Sequence, residues 1–276
     1  MVGAGVIGSG VAQIFAETGH TVVLIDKDNS QLAVAREAIR KNVRNYSLLK
    51  KGTRHPSDVL NSIEFTDSIS SIAGVDFVIE NITEDWNLKL QVHKDIEGFV
   101  NEDTPIAANT SAIPITRIAS IGRHPNRVLG MHFMNPVPLM PVVEVIRGSH
   151  TSDTALQSAT SLVDQAGLKS IIVNDSPGFV TNRVMMLMVN EAIFLVHEGV
   201  ASAMDVDRLF KTCFGHRMGP LETADLIGLD TVLRSIEVIY EELNDSKYRP
   251  CPLLKKMVYA DTLGRKTGKG FYEYGL

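Results

Sequence analysis

The chain has 276 residues, 44% of them hydrophobic and 21% charged, which suits one large core or two ordinary ones. A formal net charge of −5 and a pI of about 5.9 offer no global attraction to nucleic acid or to an anionic membrane, so a small molecule is the expected partner. Cys213 and Cys251 stand far apart and outside any Cys-x-x-Cys or Cys/His ligand spacing, which excludes a disulfide scaffold and a structural zinc site and fits a reducing cytoplasm.

The chain opens on Gly3-Ala4-Gly5-Val6-Ile7-Gly8, a Gly-x-Gly-x-x-Gly run. In such a run the first glycine allows a tight turn, the second lets backbone approach a pyrophosphate, and the third lets helix pack on strand. Ser9–Thr18 follows as a predicted helix ending at Gly19, then Thr21–Ile25 as a strand, with Asp26 at its carboxyl end. A carboxylate there accepts from both ribose hydroxyls of a dinucleotide and favours NAD, since the 2′-phosphate of NADP would meet like charge. The alternative for Asp26 is a turn residue before Asp28 and a helix N-cap at Ser30. Only Met1-Val2 precede Gly3, so the first strand is nearly missing, and its neighbours are expected to be left with unpaired backbone groups. The expectation is therefore that the functional polypeptide carries several more apolar residues upstream.

Further along, Phe77–Ile79, Ile106–Ala108, Val128–His132, Val142–Ile146 and Ser170–Val173 read as strands separated by helical stretches. That alternation predicts an α/β fold with a Rossmann-like, doubly wound, mostly parallel sheet over residues 1–175. After Asp175-Ser176-Pro177-Gly178 the β-branched runs stop. Phe179–Glu198, Ala203–Phe214, Thr223–Leu243 and Pro252–Ala260 read as helices, so residues 176–276 form an all-helical C-terminal domain. The apolar stretch Phe179–Val200 contains Asn182, Arg183, Asn190 and Glu191, which would be costly in lipid, and it reads as a buried helix rather than a membrane span. No basic region followed by an apolar run opens the chain, so nothing there reads as a secretory leader. The glycine-rich close, Gly264–Tyr272, reads as a tail docked on another surface.

Two features carry chemistry. Glu144 lies inside Val142-Val143-Glu144-Val145-Ile146, where an ionised carboxylate must find a partner or lose its charge. His132, at the end of a strand that points it to the sheet's carboxyl edge, is the obvious partner. Such a pair lets an imidazole accept an alcohol proton while the carboxylate stabilises the imidazolium. A core histidine bonded to backbone, beside a solvated edge-strand glutamate, is the plainer alternative. Separately, Arg40, Lys41, Arg44, Lys50, Lys51 and Arg54 fall between Ala38 and Ser57 with no acid among them. They form either a solvated helix face or a seat for an anionic group, such as the phosphates of coenzyme A or the acidic helix of an acyl carrier protein.

The chain resembles the L-3-hydroxyacyl-CoA dehydrogenase family, in its short single-activity, 3-hydroxybutyryl-CoA dehydrogenase form. The resemblance rests on Gly3–Gly8, Asn109-Thr110-Ser111, Met131–Pro138, Glu144–Gly148, Pro177–Arg183, Met218–Glu222 and Gly264–Tyr272, in the family's order over nearly the whole chain. It implies NAD-dependent interconversion of a 3-hydroxyacyl and a 3-oxoacyl thioester, with fatty acid metabolism as the setting. It also implies His132 as base, Glu144 as its orienter, and Ser111 and Asn182 holding the substrate oxygen. By the same matching Glu84 and Lys89 contact the cofactor's nicotinamide half, Asn135 the cofactor or substrate and Lys266 the dinucleotide, beside Gly3, Gly5, Gly8 and Asp26 of the glycine run and strand end, and the helical domain makes a homodimer; Arg40, Lys41 and Arg44 remain a candidate carrier seat on their charge alone, and no metal is expected. Ser111 would otherwise read as the N-cap of the next helix, Asn182 as part of a polar helix face, and Glu84 and Lys89 as a solvated helix start. A carrier-protein thioester in a biosynthetic pathway is the alternative substrate, and a non-catalytic dinucleotide-binding protein the alternative from another class. Ala108, Ala112 and Pro141 depart from the family's usual residues, which bears on substrate identity more than on reaction type.

Overall fold

The computed structural model describes residues 1–46 and 54–275. The chain divides into two units, Met1–Ser176 and Pro177–Leu276. In the first, α1 (Val6–Glu17), β1 (Val22–Ile25), α2 (Asn29–Tyr46), α3 (Pro56–Asn61), β2 (Ile63–Thr66), β3 (Val78–Glu80), α4 (Trp86–Glu97), β4 (Ile106–Ala108), α5 (Ile115–Ala119), β5 (Val128–Phe133), β6 (Val142–Arg147), α6 (Asp153–Gln165) and β7 (Lys169–Asn174) follow in order. The second unit holds α7 (Thr181–His197), α8 (Ala203–Phe214), α9 (Pro220–Ile227), α10 (Leu229–Leu243) and α11 (Pro252–Tyr259).

Strand pairing is parallel for β1 with β2, β3 with β4, β4 with β5 and β6 with β7, and antiparallel for β5 with β6. Val2 bridges in parallel to both Ile25 and Glu80, so it joins β1 to β3 at the centre of the sheet. The expectation of unpaired neighbours is corrected here. Ile25 N–H donates to Met1 O (2.9 Å), Val2 N–H to Ile79 O (3.0 Å), Gly3 N–H to Ile25 O (2.7 Å) and Asn81 N–H to Val2 O (2.7 Å). The physical reason is that β1 and β3 are themselves short, four and three residues, so a short central segment serves them both.

Side chains alternate across this sheet with the strand period of two. Leu24, Ile79 and Ala107 join one core with Val11 and Phe15 of α1, Ile39 of α2 and Ala159 of α6, while Ile25, Val78 and Ile106 join a second with Ile96 of α4. Helices thus cover both faces, which a mostly parallel sheet requires. Their starts are written locally: Asp85 accepts from Leu88 N–H (3.0 Å), Ser152 from Ala155 N–H (3.2 Å) and Ser202 from Asp205 N–H (3.2 Å). The expected N-cap Ser30 lies inside α2, and Asp28 does the capping instead, accepting from Ser30 N–H at 2.8 Å.

Sequence reading overlooked β2, whose single fully buried side chain, Ile63, gives little pattern. The helix expected over Thr223–Leu243 is two helices. Pro220 begins α9 early, and Gly228, at φ 98°, ends it before α10 starts. The glycine-rich tail docks inside the second unit on two buried aspartates. Phe271 N–H and Tyr272 N–H both donate to Asp225 (3.0 Å each), and the Tyr272 hydroxyl donates to Asp207 (2.7 Å). Burial pushes the Asp225 carboxyl above the usual carboxylate range, although those N–H donors pull against it. Among the described residues no helix is long and apolar enough to cross a membrane.

Candidate active site

The loop between Val2 and α1, the ends of β1, β3 and β4, and His132 near the end of β5 all lie at the carboxyl edge of the sheet, the edge where open α/β folds bind ligands. Gly3 has φ 97°, and a Cβ there would stand 2.8 Å from the Asn81 backbone. At Gly8 a Cβ would lie 1.9 Å from the Gly3 carbonyl oxygen, so α1 packs directly on the loop. At Gly5 a Cβ would meet nothing within 4 Å. The loop is therefore tight on both sides and bare on the third, which suits a pyrophosphate against backbone N–H groups. Beside it opens a cavity of about 620 Å³, whose lining includes Gly3, Gly5, Asp26, Gln31, Asp67 and Asn81. Asp26, in that lining, accepts from Ala4 N–H (2.8 Å) and Asp28 N–H (3.1 Å), one on each oxygen, which leaves each oxygen further acceptor capacity. Gln31 Nε2 donates to Ala4 O (2.9 Å) and ties α2 to the loop.

The second constellation comes from strand register. In the antiparallel pair β5–β6, His132 stands opposite Glu144. Their side chains therefore meet on one face of the sheet. Both are buried, and His132 Nδ1 is 3.0 Å from Glu144 Oε2. A carboxylate only accepts, so Nδ1 carries the proton and Nε2 of the neutral ring is an acceptor. Nε2 lies 3.1 Å from Ser111 Oγ. Ser111 does not cap the following helix: Thr110 Oγ1 accepts from Ile113 N–H (3.0 Å), and α5 starts beyond Pro114. The three residues form a line of hydrogen bonds, Ser111 to His132 to Glu144, in which His132 Nε2 can accept a proton and the Glu144 carboxylate can stabilise the resulting charge.

Residues 1–176 match the family model described as 3-hydroxyacyl-CoA dehydrogenase, NAD binding domain, and residues 178–274 match the C-terminal domain of the same enzymes. The chain belongs to the 3-hydroxyacyl-CoA dehydrogenase family. Its activity is accordingly the NAD-dependent oxidoreduction of hydroxyacyl-CoA, and the glycine loop and cavity fit that cofactor. A probable 3-hydroxybutyryl-CoA dehydrogenase of Deinococcus radiodurans is 44% identical over 274 residues, 99% of each chain. A 3-hydroxybutyryl-CoA dehydrogenase of Clostridioides difficile is 40% identical over 99% of this chain and 98% of its own. The crystal structure of (S)-3-hydroxybutyryl-CoA dehydrogenase from Ralstonia eutropha superposes with a TM-score of 0.94 at 42% identity, covering 100% of this chain and 98% of that one.

Within this dehydrogenase the other expected site residues are distributed unevenly. Lys89 does not face the cavity. It is fully buried, its Nζ donating to both oxygens of Glu80 (2.8 and 3.0 Å), with Ile82 O and Asn109 O at 3.4 Å. In this structure Lys89 makes a buried ion pair with Glu80, which His93 joins through Nε2, 3.1 Å from Glu80. Burial alone would raise the Glu80 carboxyl, yet the Lys89 ammonium and the His93 ring bring it below its usual value. Glu84 is turned toward the serine loop, where it accepts from Ser111 N–H (3.1 Å). Asn135 is exposed just beyond β5. Asn182 is half-buried on α7, and Lys266 pairs with Asp230; both belong to the second unit.

The basic run also divides. Arg40, Lys41 and Arg44 are exposed on α2, opposite its buried face of Leu32, Ala35, Ile39 and Val43. Arg40 is paired with Glu37 (2.7 Å). Arg54 turns inward to Ala16 O (2.8 Å), and Lys50 and Lys51 lie outside the described residues. Sequence reading missed Glu80 and His93 and the amide bridge from Asn109 Nδ2 to Asn81 Oδ1 (2.9 Å) that ties the ends of β4 and β3. The available signal was a glutamate closing an apolar strand, akin to the apolar setting that singled out Glu144.

Gly8→Ala is expected to lower the melting temperature by about 3–10 °C, the effect of forcing a methyl into a packed contact. Gly5→Ala is expected to leave melting nearly unchanged and to weaken NADH binding; equal melting losses in both would contradict the assigned roles. Lys89→Met leaves the Glu80 carboxylate buried without its main cation and is expected to cost ~3–5 kcal/mol in urea unfolding at neutral pH. Because the folded-state pKa of Glu80 is depressed, its stabilisation is present above the usual value of 4.5 and is lost as pH falls through the folded value. The difference between wild type and Lys89→Met should therefore shrink on acidification, and a pH-independent difference would show that the charge pair is not its source.

Proposed function

We propose that His132 is the general base for the 3-hydroxyl group of a short 3-hydroxyacyl-CoA, oriented by Glu144, with Ser111 holding the substrate oxygen. The observation that supports this is the position of His132 between two hydrogen bonds, Nδ1 at 3.0 Å from Glu144 and Nε2 at 3.1 Å from Ser111. The bound NAD supplies the acceptor for the hydride that leaves the carbinol carbon. His132 Nε2 takes the hydroxyl proton, and the buried Glu144 carboxylate, bonded to Nδ1–H, stabilises the imidazolium so formed. Ser111 Oγ, beside Nε2, aligns the oxygen whose proton is transferred. In the reductive direction the same ring returns the proton to the carbonyl oxygen.

The full-length relatives named 3-hydroxybutyryl-CoA dehydrogenase support a four-carbon thioester as substrate. Arg40, Lys41 and Arg44 on the exposed face of α2 are the proposed seat for the carrier's phosphates. Exposed apolar side chains on α8, Met204, Leu209 and Phe214, support a homodimer through the helical domain. Free Cys213 and Cys251 thiols support a cytoplasmic setting.

His132→Gln is expected to lower kcat for acetoacetyl-CoA reduction by ~10²–10⁴, followed by NADH absorbance, with NADH affinity little changed. Glu144→Gln should be comparably impaired, because an amide cannot stabilise the imidazolium; near-normal turnover in either variant would sink the mechanism. Asp26 predicts a higher kcat/KM with NAD than with NADP, and equal values would show that it does not face the ribose. Joint charge reversal of Lys41 and Arg44 should raise KM for the thioester far more than for NADH, and an unchanged thioester KM would return them to a solvated helix face.

A further inference from the structure

The glycine loop and Asp26 account for only part of the lining of the cavity of about 620 Å³ beside them. Other walls come from the connections on either side of β3 and from α4, and they are of two kinds. Ile69, Ile82 and Val92 are apolar and half-buried against the second core of the sheet, and Leu88 keeps 46% of its surface exposed. Gln91 and Asp95 are polar and stand one turn apart on α4, where Gln91 Nε2 donates to Asp95 Oδ1 (2.8 Å). Leu88, Gln91, Val92 and Asp95 follow the i, i+3, i+4, i+7 spacing and so share one helix face, while Lys89, His93 and Ile96 form the buried face. Apolar side chains left open to a cavity suit the faces of a planar base, and a few polar groups beside them suit its edge.

Resting on the placement of Asp26 at the ribose, we infer that the Gln91–Asp95 pair reads the edge of the cofactor's purine, so that the protein selects adenine, with its 6-amino group, over a 6-oxo purine. With the pyrophosphate at the glycine loop and the ribose at Asp26, the base of that nucleoside falls among Ile69, Ile82, Leu88 and Val92. A carboxylate only accepts hydrogen bonds. Gln91 meets Asp95 Oδ1, which steadies the side chain and leaves it further acceptor capacity. The 6-amino group of adenine donates, whereas a 6-oxo group accepts, and two acceptors set against each other in a cavity leave both unpaired. A site that hydrogen-bonds a ligand's N–H rejects the analogue lacking it, because its own polar group is then left without a partner. The other charged lining residues on this side do not offer the same reading. Asp67 already accepts from Asn29 Nδ2 (3.0 Å), and Lys27, a cation, would favour the 6-oxo base.

The test measures, by nicotinamide fluorescence in the full-length protein, dissociation constants for NADH and for reduced nicotinamide hypoxanthine dinucleotide, which carries a 6-oxo group in place of the 6-amino group. The wild type should bind NADH about 5–20-fold more tightly. Asp95→Ala should bring the two constants within about twofold of each other, by weakening NADH. Asp95→Asn should also close the gap, but by tightening the hypoxanthine dinucleotide, because an amide can donate to the 6-oxo group. Lys94→Ala, an exposed position on α4 outside the cavity lining, should leave the wild-type ratio unchanged. Asp26→Ala should weaken both ligands alike. A wild-type ratio near one overturns the inference, as does a Lys94→Ala ratio that falls as far as that of Asp95→Ala. An unchanged ratio in Asp95→Ala beside a weakened Asp26→Ala overturns the inference alone. Wild-type binding of both ligands by Asp26→Ala overturns the placement of Asp26 at the ribose, and the inference with it.

Discussion

Burying Glu144 in a strand of Val and Ile is the constraint around which the site is organised. An ionised carboxylate cannot stay in such surroundings unless hydrogen bonds and a complementary charge replace its water. One antiparallel pairing in an otherwise parallel sheet solves this, because the β5–β6 register sets His132 directly across from Glu144. The solution orients the ring as well. With Nδ1–H committed to the carboxylate, the acceptor lone pair of the neutral ring is on Nε2, and Ser111 meets it there.

The same logic recurs along the carboxyl edge. Glu80 is buried with Lys89 and His93, and its neighbour Asn81 links to Asn109, so the ends of β3 and β4 are tied together before either loop leaves the sheet. Glu84 gathers N–H groups of the serine loop, Asp175 those of the first turn of α5, and Asp26 that of Ala4 in the glycine loop. Each is an anion satisfied by backbone donors or by a buried cation. Their common effect is to convert irregular connections, which are otherwise the most mobile parts of such a fold, into fixed supports for polar groups.

What the chain made legible depended on how local the determining interaction is. The glycine loop, Asp26, the boundaries of α8 and the His132–Glu144 partnership all rest on spacing within one or two elements, and each could be read from it. The split between α9 and α10 was missed because Gly228 inside an amphipathic run looks tolerable until its positive φ is known. β2 was missed because its pairing with β1, rather than its own pattern, makes it a strand. The partner of Lys89, read as a cofactor contact with a solvated helix start as the alternative, was not foreseen, since nothing local reveals that Glu80, nine residues earlier, lies beneath it. Likewise the run from Arg40 to Arg54 read as one basic patch, whereas Arg54 is drawn inward by the carbonyl of Ala16 at the end of α1.

The most direct measurement of the central claim is the tautomer of His132, from the two imidazole nitrogen shifts of ¹⁵N-labelled protein under conditions where the ring is neutral. The account requires a protonated Nδ1 hydrogen-bonded to Glu144 and an unprotonated Nε2, with that preference lost in Glu144→Ala. A neutral ring carrying its proton on Nε2 in the wild-type protein would contradict it, because His132 would then have no acceptor to offer the substrate hydroxyl.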